Sequence, residues 1–193
     1  MIRALYDWMF RLAGHKGARP TLAFFSFLES SVFPIPPDVL LIPMVLADRK
    51  AWWRLAALCT VASVAGALLG YALGYFLFEL AARPILDFYG AMDNFEKLAG
   101  WYNTYGGWGV FFAAVTPFPY KVLTLFSGAT QLNLAVFVVV SVVGRALRFF
   151  LVAFLLYRFG KPIQEFVEGR LNFFFFLGLA ILLGGFAAIK LFV

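Results

Sequence analysis

The sequence predicts an all-α integral membrane protein built from two inverted repeats. Each repeat is a re-entrant, proline-broken helical hairpin followed by a transmembrane helix. A final C-terminal transmembrane helix and amphipathic surface helices complete the architecture. Three observations lead there. The chain is 63% hydrophobic and 13% charged, whereas water-soluble domains carry roughly 25% charged residues. Two apolar stretches are interrupted by prolines, at Phe33-Pro34-Ile35-Pro36-Pro37 and at Thr116-Pro117-Phe118-Pro119. The lysines and arginines fall mainly on one side of the topology those stretches imply. All 193 residues are read as a single membrane domain.

Residues 1–19 form an amphipathic N-terminal segment. Ile2, Leu5, Tyr6, Met9 and Phe10 share a helical face suited to the membrane interface. Arg3, Asp7 and Arg11 interrupt it, so it does not read as a signal peptide. Repeat 1 covers 20–80. It begins with a hairpin over 21–46, because proline has no N–H to donate and pushes the preceding residue out of the helical region. Broken backbone at membrane depth is tolerated only in protein or against a wet cavity. Trp52 and Trp53 anchor the interface, and 55–80 form a full span. Gly66, Gly70 and Gly74 give that span a face another helix can approach closely. Residues 84–104 read as an amphipathic surface helix ended by Gly106-Gly107. Repeat 2 covers 108–157, a second hairpin to 130 and a second span from 134. The last transmembrane helix is 172–190.

Positive charge orients the chain. If both hairpins return to their side of entry, 1–19, 48–54 and 158–170 share one side and hold ten of the sixteen Lys/Arg. The opposite side holds Arg83, Lys97 and Lys190. The bias places the N-terminus in the cytoplasm and the C-terminus outside, and the two repeats then enter from opposite faces. The +6 net charge fits basic ends held at anionic lipid. No basic stripe with interleaved aromatics suggests nucleic acid. Cys59, the only cysteine, reads as a small core residue, and His15, the only histidine, as a loop residue.

Five charged residues fall in apolar surroundings: Glu29, Asp38, Lys121, Arg145 and Arg148. Ionisable groups inside a bilayer are costly and usually face a pathway. Glu29 lies ~14 Å past Pro20 at helical rise, and Arg145 and Arg148 lie ~16 and ~21 Å past Leu134, all near mid-membrane. Two acids come from the first repeat and three bases from the second. Proline-interrupted segments at matching places in two halves point to a transporter site. The hairpin tips Pro34, Pro36, Pro37, Pro117 and Pro119 would bring the charges together. Lys121, Arg145 and Arg148 would bind a phosphate or carboxylate. Glu29 and Asp38 would carry protons or act as charge partners. The plainer reading is that the charges pair and brace the bundle. No enzyme motif, metal cluster or cofactor motif occurs.

At Glu29, Phe33–Asp38, the Gly66/Gly70/Gly74-Tyr75 run, Thr116–Lys121, Gly144-Arg145 and Arg148, the chain resembles the DedA superfamily. That superfamily is also called the VTT or SNARE-associated family, and the match is to its YqaA-like branch. The resemblance covers roughly 20–160. It implies a bacterial inner-membrane protein with two re-entrant hairpins, associated with undecaprenyl-phosphate recycling, phospholipid scrambling and proton-dependent homeostasis. The better-known branch places arginines around the second hairpin's proline; Ala114 and Tyr120 stand there in this chain. The expected function is transport of an anionic lipid headgroup between leaflets, with membrane lipids as partners and homo-oligomerisation left open. A proton- or sodium-coupled solute exporter and a non-transporting structural protein are the alternatives.

Overall fold

The computed structural model describes residues 17–31, 36–116 and 119–160. The N-terminal segment before Gly17, the tip residues Pro34 and Pro117, and the last span at 172–190 lie outside the described residues. Every regular element described is helical.

Helix α1, Ala18–Ser31, and helix α2, Asp38–Ala47, flank the first proline cluster. At helical rise they measure ~21 and ~15 Å, each shorter than a ~30 Å hydrocarbon core. Proline makes the break and also starts α2. Pro37 already has helical φ −65°, and its carbonyl accepts from the Leu41 N–H at 2.9 Å. A fixed φ near this value pre-organises a first turn. Ala18 from the start of α1 and Val45 from the end of α2 belong to one apolar cluster.

Asp48 turns the chain by accepting the Lys50 N–H at 3.2 Å. Helix α3, Trp52–Leu77, then passes through a wide π-helical turn, Phe78–Ala82, into α4, Arg83–Phe88. Gly90, at φ +62°, ends this 40-residue rod. Helix α5 is Met92–Val115, α6 is Tyr120–Ala129 and α7 is Leu134–Phe159. Asn133 caps α7 by accepting the N–H groups of Ala135 and Val136. The rod Arg49–Phe88 and α7 are long and apolar enough to cross a membrane.

Two boundaries differ from the sequence reading. Residues 84–104 are not one helix, since Gly90 divides them between α4 and α5. Gly106-Gly107 does not end a helix either; α5 runs straight through it. A helical glycine costs only about 1 kcal/mol. Packing offsets this, because the Tyr102 ring lies across Gly106 where a Cβ would come within 2.8 Å of it.

The long helices α3 and α7 pack against each other at the centre. Helix α1 packs on α3 and α5 on α7, while α2 packs on α7 and α6 on α3. Glycines permit the close approaches. A Cβ on Gly66 would strike the Phe27 carbonyl, one on Gly74 the Leu125 carbonyl, and one on Gly128 the Tyr71 carbonyl. The core has two apolar clusters. One gathers Leu22, Leu41, Val45, Leu55, Phe149 and Leu156; the other gathers Ala67, Val110, Ala114, Leu132 and Phe137. Between them lies a buried polar layer of Ser26, Ser30, Ser63, Thr124, Ser141 and Arg145.

Candidate functional site

The polar layer carries the intramembrane charges. Arg145 leaves α7 with a fully buried side chain, and its Nη2 donates to Glu29 Oε2 at 2.5 Å. The same Nη2 donates to Ser30 Oγ at 3.0 Å. Ser30 Oγ meets Ser63 Oγ at 2.6 Å, tying the pair to α3. The Tyr120 ring covers the guanidinium at 4.0 Å from its centroid, an arrangement attractive for a cation. Tyr120 is itself fixed, because its hydroxyl donates to Ser141 Oγ at 2.5 Å.

One turn along α7, Arg148 Nη2 donates to Asp38 Oδ2 at 2.5 Å, and Nη1 to the Thr116 carbonyl at 3.4 Å. This second pair is less enclosed, with side chains 14% and 23% exposed. Spacing of three puts both arginines on one helix face. The partners come from the two sides of the first proline break: Glu29 ends α1 and Asp38 begins α2. An acid in a first helical turn also sits favourably against the helix dipole.

The structure therefore brings together four of the five charged residues singled out in the sequence, as two ion pairs between the segments read as halves. Lys121 lies at the start of α6, next to Tyr120 and half-buried. Of the tip prolines, Pro37 is buried beside Asp38, while Pro36 and Pro119 are exposed. Among the described residues, Asp38 Oδ1 and Arg145 Nε and Nη1 are buried without a hydrogen-bond partner. A buried polar atom left unpaired costs about 1–3 kcal/mol, so the layer has hydrogen-bonding capacity still to fill. No group of three or more His, Cys, Asp or Glu suited to a metal occurs among the described residues.

Sequence reasoning missed the clamp formed by Ser30, Ser63, Tyr120 and Ser141. The signal was present in part: Ser141 precedes Arg145 by one helical turn. That Tyr120 would stack on Arg145 depends on how α6 lies against α7, which no local pattern encodes.

Comparisons with known proteins place the chain in a family. The VTT domain profile matches residues 35–158. An uncharacterised protein of Haemophilus influenzae is 38% identical over 149 residues, covering 77% of both chains. An uncharacterised protein of Histophilus somni is 32% identical over 169 residues, covering 88% of both. Undecaprenyl phosphate transporter A of Staphylococcus aureus is 24% identical over 130 residues, covering 63% of this chain and 64% of its own. No solved structure matches significantly. The profile spans Asp38, Lys121 and both arginines; the chain belongs to the VTT-domain, or DedA, family of membrane proteins.

Proposed function

We propose that the protein transports lipid, passing an anionic phosphate-bearing headgroup between leaflets through the polar layer. The observation that carries this reading is the double ion pair, Glu29–Arg145 and Asp38–Arg148, buried between the helices that flank the proline breaks. Unfilled donors on Arg145 add to it. So does the similarity to a protein named as an undecaprenyl phosphate transporter.

The more accessible Arg148 meets the headgroup first, with Lys121 nearby. Protonation of Asp38 or Glu29 would release its arginine to the phosphate, which couples headgroup capture to protons. Arginine suits the task because its planar fork holds two phosphate oxygens. The acyl tails stay in lipid while the headgroup crosses.

The pairing of α1 with α3, α5 with α7, α2 with α7 and α6 with α3 supports an inverted repeat, since each second limb crosses to the other unit's long helix. The short α1 and α2 support re-entrance. The excess of Lys and Arg in 1–19, 48–54 and 158–170 supports a cytoplasmic N-terminus. Reconstitution of the purified protein in liposomes tests the proposal. Translocation of a fluorescent phosphate lipid is expected. Flux of a small ion or solute without lipid movement would favour the exporter reading, and neither activity would favour a structural role.

A further inference from the structure

A cavity of about 350 Å³ opens at the C-terminal end of α3. Its walls include Phe78, Glu79, Arg83, Asn103, Thr130 and Gln131. Counted along α3 from Ser63 or along α7 from Arg145, it is ~20 Å from the charge layer. Two backbone irregularities line this one cavity. Phe78 and Glu79 belong to the π-helical turn, and Gln131 is the only non-glycine residue with positive φ (56°) among the described residues. π-Helical turns are uncommon and concentrate at functional sites, whereas Gln131 is the left-handed cap of α6, closed by the Leu132 N–H donating to the Ser127 carbonyl at 2.9 Å.

The chemistry of the walls is specific. Arg83 Nη1 donates to Glu79 Oε2 at 2.9 Å at the cavity edge, so the lining carries one positive and one negative charge. The Asn103 amide donates to the Thr130 carbonyl at 2.8 Å, holding α5 against the α6–α7 turn. Phe78 stacks on Phe95 at 4.4 Å and forms an apolar wall. Trp101, Tyr105 and Trp108 are exposed on the same stretch of α5 as Asn103. Tryptophan and tyrosine gather at the headgroup level of a bilayer, which places the cavity mouth there.

We infer that this cavity binds a zwitterionic lipid headgroup, one carrying both a phosphate and an ammonium. The inference rests on the lipid-handling reading above. A bare anion would meet the Glu79 carboxylate, and a bare cation the Arg83 guanidinium. A phosphate–ammonium headgroup parts the pair and gives each side chain an opposite charge. Asn103 and Gln131 offer amide groups for the remaining oxygens. The site serves the leaflet opposite the basic loops, and its preference differs from that of the charge layer, which takes an anion.

The test uses the purified full chain in detergent. It is titrated with dioctanoyl phosphatidylethanolamine, dioctanoyl phosphatidylglycerol and soluble phosphoethanolamine, with calorimetry as the readout. The wild type should prefer the ethanolamine lipid over the glycerol lipid about fivefold, the size expected of one partly exposed charge contact. Glu79→Gln should remove that preference by weakening the ethanolamine lipid alone. Arg83→Gln should weaken both lipids, and neither variant should shift the melting temperature. Arg148→Lys should weaken the glycerol lipid at the charge layer and lose translocation while the Glu79- and Arg83-dependent binding of the ethanolamine lipid is unchanged, so failure of the transport reading and failure of this one are separable. Ethanolamine-lipid binding that is the same in Glu79→Gln and Arg83→Gln as in the wild type would overturn the inference. So would phosphoethanolamine binding as tightly as the lipid, because the cavity would then be a solute site.

Discussion

Arg145 has no exposed surface, and its guanidinium is held by Glu29, Ser30 and the Tyr120 ring. Removing one partner of a buried pair leaves the other charged and unpaired, at about 3–5 kcal/mol. Arg145→Met should therefore lower stability by roughly that amount, read as a fall in melting temperature of the purified protein. The double variant Glu29→Leu with Arg145→Met should recover most of the loss, because an apolar pair removes the stranded charge. No recovery would mean that the pair is not the source of the effect. The glycines make a second residue-scale case. Gly74→Ala places a methyl against the Leu125 carbonyl. Overpacking of this kind costs typically ~1–3 kcal/mol, whereas Gly100→Ala, with open space around it, should be neutral or stabilising in the same melting assay. The charges and the glycine face were legible in the sequence, because ionisable residues and four-residue glycine spacing stand out in apolar helices. The pairing of Glu29 with Arg145 and of Asp38 with Arg148 was not legible, since it depends on the three-dimensional register of α1 and α2 against α7.

At the scale of elements, the clustered prolines marked helix starts, whereas the lone Pro43 and Pro84 lie within helices and Gly106-Gly107 ends none. Pro36-Pro37 and Pro119 sit where α2 and α6 begin, because a missing N–H and a fixed φ act locally. Gly106-Gly107 reads as a stop by composition. In the folded chain Tyr102 covers Gly106 and donates or accepts at Ser127 Oγ at 2.8 Å, so tertiary packing overrides propensity. Amide hydrogen exchange should show unbroken protection from 102 to 113; fast exchange confined to 106–108 would contradict the continuous α5. The rod Arg49–Phe88 also gives a topology test. Single cysteines at Lys50 and Gly90, in a protein with Cys59 replaced, sit at its two ends. An impermeant thiol reagent added to intact spheroplasts should label position 90 and spare position 50. The opposite pattern would reverse the orientation drawn from charge.

For the whole molecule, the shorter helices α1, α2, α5 and α6 pack around α3 and α7, with apolar clusters on either side of a polar layer. Aromatic contacts brace one end: Trp52 of α3 stacks on Tyr157 of α7 at 5.7 Å. Composition announced a helical membrane protein, and the doubled proline pattern marked where α2 and α6 begin. Neither could announce that α2 packs on α7 and α6 on α3, because those contacts join residues far apart in the chain, 110 positions for Asp38 and Arg148. The central claim is that the basic groups of the layer hold a phosphate headgroup. The measurement that tests it most directly is binding of a short-chain anionic phosphate lipid to purified Lys121→Gln, Arg145→Lys and Arg148→Lys variants of confirmed melting temperature. Arg145→Lys and Arg148→Lys should each weaken binding although the charge is kept, since lysine cannot present a planar fork, and Lys121→Gln should weaken it more than Lys121→Arg. If stable protein with all three positions neutralised still binds the phosphate lipid as the wild type does, the headgroup site lies elsewhere and the claim fails.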